Sequence, residues 1–150
     1  MKLWGVTSVL LVMAWLASCS PGQSEVAVRL DEEFTLSVGQ RVRVEGEDLR
    51  IEFLEVVADS RCPKDVTCIW AGQVTCLVEL LSSGSSERVE LTQPGLTGEP
   101  SRQAIRGYGL SFAVDPYPAE GKQISRDDYR LRLTVRKGVS LSRGILVSSS

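Results

Sequence analysis

The 150-residue chain contains no histidine, and its two methionines, Met1 and Met13, lie near its start. Beyond residue 13 there is neither an imidazole nor a thioether. Zinc, copper and non-haem iron centres draw mostly on imidazole and sulfur ligands. Nucleophilic catalysis through a histidine base needs the ring itself. No metal, no cofactor and no catalytic residue is therefore expected. Aromatic residues make up only 6% of the chain, and of the three tryptophans (Trp4, Trp15, Trp70) only Trp70 lies beyond residue 18. A strong charge of either sign is also missing, since the formal net charge is −2. Without residues 1–18 the balance is 16 basic against 19 acidic residues, or −3. That gives no reason to expect a nucleic-acid partner. What is present is a globular composition, 43% hydrophobic and 24% charged, long enough for one domain with its own core.

Residues 1–18 read as an export signal. Lys2 supplies a positive start, and Leu3 to Leu16 is apolar apart from Gly5, Thr7 and Ser8. This run is shorter than the roughly 20 residues a membrane-spanning helix needs and suits the apolar region of a secretory signal. It ends Leu16-Ala17-Ser18-Cys19, which resembles the bacterial lipobox. The resemblance implies a diacylglycerol on the Cys19 thiol, cleavage before it, and a membrane partner through the attached lipid. Ser20 rather than aspartate after the cysteine implies the outer membrane in a two-membrane cell. In a single-membrane cell the protein would face outward. Residues 19–25 form a short polar tether in which Pro21 and Gly22 oppose regular structure.

Residues 26–137 read as strands. Val42 and Val44 alternate with Arg41 and Arg43, and Ile51 and Phe53 with Arg50 and Glu52. At Leu54-Glu55 the alternation slips by one residue, which predicts a β-bulge near Phe53-Leu54. Val74, Cys76, Val78 and Leu80 share a face, Ser82 to Ser86 forms a hairpin turn around Gly84, and Val89 and Leu91 continue beyond it. Residues 93–106 carry two prolines and two glycines and read as a long loop. Tyr108, Leu110, Phe112 and Val114 alternate, as do Tyr129, Leu131, Leu133 and Val135. Residues 138–150 form a weakly patterned tail in which Ile145 to Val147 could add an edge strand. About seven to eight strands without helical periodicity predict an all-β fold, a single β-sandwich with the layered architecture of immunoglobulin domains. The cysteine–tryptophan–cysteine pattern of that fold is absent.

With Cys19 acylated, Cys62, Cys68 and Cys76 remain, and export to an oxidising compartment favours one pair among three possible pairings. Cys76 sits at a core-facing strand position, where a thiol behaves as a small hydrophobe. The polar, turn-forming segment between Cys62 and Cys68 can fold back on itself, so that pair is the expected disulfide. A redox dithiol would sit two residues apart at a helix start. Trp70, so near the half-cystines, is expected to pack against the disulfide as core, with a ligand-stacking platform as the alternative. Ala71-Gly72 suits a close backbone approach. Lys64, Asp65 and Trp70 are the candidate partner-binding residues.

Asp59-Ser60-Arg61-Cys62-Pro63 followed by Val66-x-Cys68-Ile69-Trp70-Ala71-Gly72 resembles the central motif of a group of small uncharacterised bacterial secreted proteins and lipoproteins. The resemblance is close over about 14 residues and loose over some hundred. It implies a strand-rich exported protein and carries no activity.

Other patterns have bland readings. Asp127-Asp128 and Asp59 lack calcium-loop spacing. Glu52, Glu55 and Asp59 are candidate paired carboxylates, but alternation turns Glu52 outward. Arg130, Arg132 and Arg136 form a basic row, with Arg41, Arg43 and Arg50 expected beside it, and read as a solvated face with glutamate partners. The function expected is a non-enzymatic, lipid-anchored binding or structural module of the bacterial envelope, whose partner is an envelope protein or a glycan. The rival reading is a hydrolase inhibitor that inserts the 62–68 loop, and an enzyme of unknown type is the remote third.

Overall fold

The structure is a computed structural model that describes residues 25–95 and 100–138. The segment expected to be an export signal, Cys19 and the C-terminal tail lie outside the described residues.

Among the described residues nine strands build two sheets. They are β1 (Val26–Val28), β2 (Glu33–Ser37), β3 (Arg41–Val44), β4 (Arg50–Asp59), β5 (Gln73–Ser82), β6 (Ser85–Pro94), β7 (Ser101–Ile105), β8 (Tyr108–Asp115) and β9 (Arg130–Lys137). The first sheet runs β1-β3-β4-β5-β6 and the second β2-β9-β8-β7. Strands β3 to β6 are a meander of antiparallel neighbours, and β1 adds to β3 in parallel. Strands β7 to β9 form a second meander, which β2 completes antiparallel to β9. The β-sandwich expected from the alternation is what the chain forms.

Alternation explains which face each strand buries. Ile51, Phe53, Val74, Cys76, Val78 and Leu91 of the first sheet meet Leu36, Leu110, Phe112, Leu131, Leu133 and Val135 of the second, all at 2% exposure or less. The arginines between them stay at the surface, as a half-solvated sheet requires. Two tight hairpins have left-handed φ at both central residues: Ser83 (50°) and Gly84 (74°), then Arg106 (51°) and Gly107 (80°). This is the turn whose twist matches that of paired strands.

The bulge expected near Phe53-Leu54 is present. Phe53 pairs with Val78 and Glu55 with Leu77, so Leu54 is the extra residue. A second shift between Val56 and Ala58 leaves Val57 unpaired and 52% exposed. The reading of 93–106 as one long loop needs correction. Strand β6 runs on to Pro94, and Ser101–Ile105 pairs along its whole length with β8. A proline is tolerated at the end of an edge strand, and the Arg106-Gly107 hairpin fixes the register of β7.

Candidate functional site

The cysteine loop is fastened to both sheets at one pole of the sandwich. Strand β4 ends at Asp59, whose carboxylate receives Arg61 in a two-pronged pair: Nε to Oδ1 at 2.8 Å and Nη2 to Oδ2 at 2.6 Å. The Arg61 side chain is 2% exposed. It also donates to the Val114 carbonyl at 2.7 Å and the Pro116 carbonyl at 2.9 Å, both from the second sheet's side. Its guanidinium lies 5.1 Å from the Tyr117 ring centroid, a cation–π distance. The Tyr129 hydroxyl donates to Asp59 Oδ2 at 3.2 Å. Burial first, and then the Asp59 charge, pushes that hydroxyl's pKa up. A buried charge persists only when paired and hydrogen-bonded, and Arg61 meets both conditions.

Backbone contacts tighten the base. Ser60 N–H donates to the Gln73 carbonyl at 2.8 Å, Cys62 N–H to Ala71 at 3.0 Å, and Lys64 N–H to Pro118 at 3.1 Å. Gly72 has a φ of 68°, and a Cβ there would fall 1.8 Å from the Ser60 carbonyl oxygen. A Cβ on Gly95 would fall 2.1 Å from the Ala71 carbonyl oxygen. The close approach expected at Ala71-Gly72 is therefore real, and glycine is the residue that permits it.

Cys62 and Cys68 form a disulfide with Cα atoms 5.9 Å apart. Cys62 is buried, whereas Thr67, Cys68, Ile69 and Trp70 are exposed, as are Lys64 and Asp65. The expectation that Trp70 packs on the disulfide is overturned: it is 81% exposed, and Ile69 is 94% exposed. On the buried side of the loop Arg61, stacked 5.1 Å from the Tyr117 ring centroid, takes the interior place instead. The base of the loop is thus polar and buried, while its crown is apolar and exposed.

Beside the loop lies an open cleft of about 420 Å³ whose walls include Lys64, Pro116, Tyr117, Lys122, Ile124 and Asp128. Neither lysine has an ion-pair partner among the described residues. Asp128 accepts from the Ser125 hydroxyl at 2.6 Å, and that bond holds its carboxyl below the usual carboxylate range.

Other expected clusters do not assemble. Glu52 pairs with Arg41, Glu55 is exposed, and Asp59 is spent on Arg61, so these three carboxylates do not converge. Among the described residues no group of three acidic or sulfur side chains gathers as metal ligands would. The two arginine rows prove to lie on different sheets. Arg41, Arg43 and Arg50 belong to β3 and β4, whereas Arg130, Arg132 and Arg136 belong to β9. Arg41, Arg50, Arg132 and Arg136 face carboxylates, as a solvated surface would have them. Cys76 is buried and free, and desolvation pushes its thiol up to about 12.

Sequence reasoning missed the Asp59–Arg61–Tyr129 cluster. The available signal was an acid and a base two residues apart at a strand end, which places both on one side of the chain. No protein-family model matches this chain, and comparison with curated proteins and with solved structures gives no match either.

Proposed function

We propose that the protein is an exported lipoprotein, anchored to the cell envelope by lipid on Cys19. It acts without catalysis as a binding or structural module that makes contact through the crown of the 62–70 loop. The observation that carries this reading is the exposure of Ile69 and Trp70 on a loop whose base is held by a disulfide, an ion pair and hydrogen bonds to both sheets. Nothing in the packing requires an isoleucine and a tryptophan in water at that position. Tryptophan is among the residues that dominate binding surfaces, and a loop already ordered loses little entropy on contact.

The test is a photo-crosslinking amino acid in place of Ile69 or Trp70, in cells, with one in place of the exposed Glu90 of β6 as control. Adducts to protein, lipid or glycan are expected from the crown and not from the control. Equal adduct yields from all three positions would count against the crown. A second reading, inhibition of a hydrolase, draws support from the exposed Lys64 and Asp65 on the same closed loop. It requires that the purified domain inhibit an envelope hydrolase and that Lys64→Ala with Asp65→Ala relieve that inhibition.

A further inference from the structure

The structure has a direction built into it. Val26 of β1 is level with Val42, Ile51 and Leu80 across the first sheet. From that level β4 runs toward the crown, whereas β1, parallel to β3, runs away from it. The start of β1 therefore points toward the crown's side. Between the Val26–Leu80 level and the Val74–Asp59 level, β5 covers six residue steps, roughly 20 Å at about 3.3 Å per step. Seven residue steps separate Val26 from Cys19, a reach of up to roughly 24 Å. A lipid on Cys19 is thus within reach of the level at which the loop begins.

From this we infer that the crown's partner is the bilayer that holds the Cys19 lipid: Ile69 and Trp70 seat in its interface, with Lys64 and Lys122 beside its phosphates. The inference rests on the contact surface and the anchor proposed above, and names what that surface touches. Tryptophan favours the boundary between headgroups and acyl chains, where its ring is buried and its N–H stays wet. Isoleucine supplies purely apolar area. The ammonium groups of Lys64 and Lys122 form no ion pair among the described residues and suit anionic headgroups, although Asp128 lines the same cleft. Asp65 and Glu120 are exposed nearby and moderate that attraction. The diacylglycerol implied for Cys19 holds the chain to the bilayer, and a second contact from the folded domain fixes which faces point away from the membrane.

The experiment uses the chain from Cys19 onward, which contains the whole described domain and has Trp70 as its one tryptophan. Cys19 is coupled to a maleimide lipid in vesicles, a step independent of natural acylation. Cys76, buried and with its thiol pushed up to about 12, does not compete. The readouts are Trp70 emission, quenching by lipids brominated in their acyl chains, and quenching by acrylamide in the water. Against the uncoupled Cys19→Ser chain, anchored protein is expected to emit at shorter wavelength, to be quenched by brominated lipid, and to be shielded from acrylamide. Ile69→Asp should reverse all three while Trp70 still reports. Unchanged emission with full acrylamide access would overturn the inference and leave the crown to a partner in the aqueous phase. A blue shift without brominated-lipid quenching would also overturn it, because the ring would then be covered by protein. The mass of the Cys19 residue from cells tests the anchor separately.

Discussion

Arg61 shows what one residue does in this protein. It joins the end of β4 to the Val114 carbonyl of β8 and the Pro116 carbonyl just beyond it. Replacing it with alanine strands Asp59 in a half-buried site, so Arg61→Ala should destabilise the domain by about 3–5 kcal/mol, measured by urea unfolding. A loss under about 1 kcal/mol, the range of an exposed pair, would show that the network contributes no more than a surface contact. Cys76 makes a different prediction. Its thiol titrates near 9 when unfolded and at about 12 when folded. Below pH 9 both states keep the proton and stability is unaffected. Between pH 9 and 12 the unfolded state gives up its proton while the folded state holds it, so stability falls as pH rises. The loss reaches roughly 4 kcal/mol at about 1.4 kcal/mol per pH unit. In alkaline unfolding, Cys76→Ala should remove this part of the slope and leave the part contributed by Tyr108 and Tyr129, whose hydroxyls are also pushed up. The buried thiol was legible from its place in the Val74–Leu80 alternation. Arg61 was not, because an arginine beside a cysteine carries no sign of which way it turns.

At the scale of the element, the 62–68 loop shows where alternation stops informing. Periodicity finds strands because two faces meet two solvents, and a crosslinked loop has no period to read. The half-cystines were legible through compartment and spacing. The fate of Trp70 was not, since composition treats a tryptophan as interior, whereas here Arg61 is the buried residue of the loop and Trp70 the exposed one. The first bulge in β4 was legible because charged Glu55 interrupts the pattern. The second, at Val57, was not, because Val56, Val57 and Ala58 are all apolar and a slip among them leaves no trace. Strand β7 was hidden by its flanking prolines and glycines, and its half-buried residues alternate too weakly to stand out. The disulfide should contribute roughly 2 kcal/mol through so short a loop. Cys62→Ala with Cys68→Ala is expected to keep the strand signal in circular dichroism, lower the unfolding midpoint, and weaken crown crosslinking. A chain that lost its sheets instead would mean that the loop nucleates the fold.

Over the whole molecule, two layers share one core and are tied at both ends. Opposite the cysteine loop, Glu47 of the β3–β4 turn accepts from Lys137 at 2.7 Å and from the Tyr108 hydroxyl at 2.7 Å, both on the second sheet. Those two bonds hold the Glu47 carboxyl below its usual range. The two-layer plan was legible because several strands alternate cleanly, β8 and β9 among them. Which strands share a sheet was not, and the expected union of the two arginine rows failed for that reason: register between distant strands is set by the core as a whole and not by any local pattern. The proposed anchor belongs to this scale too. Cys19→Ser should move the protein from the membrane to the soluble fraction of lysed cells, and retention in the membrane fraction would place the attachment elsewhere. The fastening of the 62–70 loop has one more result. Bound on one side to β5, on the other to the end of β8, and closed through sulfur, it has no hinge. Whatever settles on Ile69 and Trp70 must then raise the melting temperature of the entire sandwich in a single transition, instead of quieting one loop.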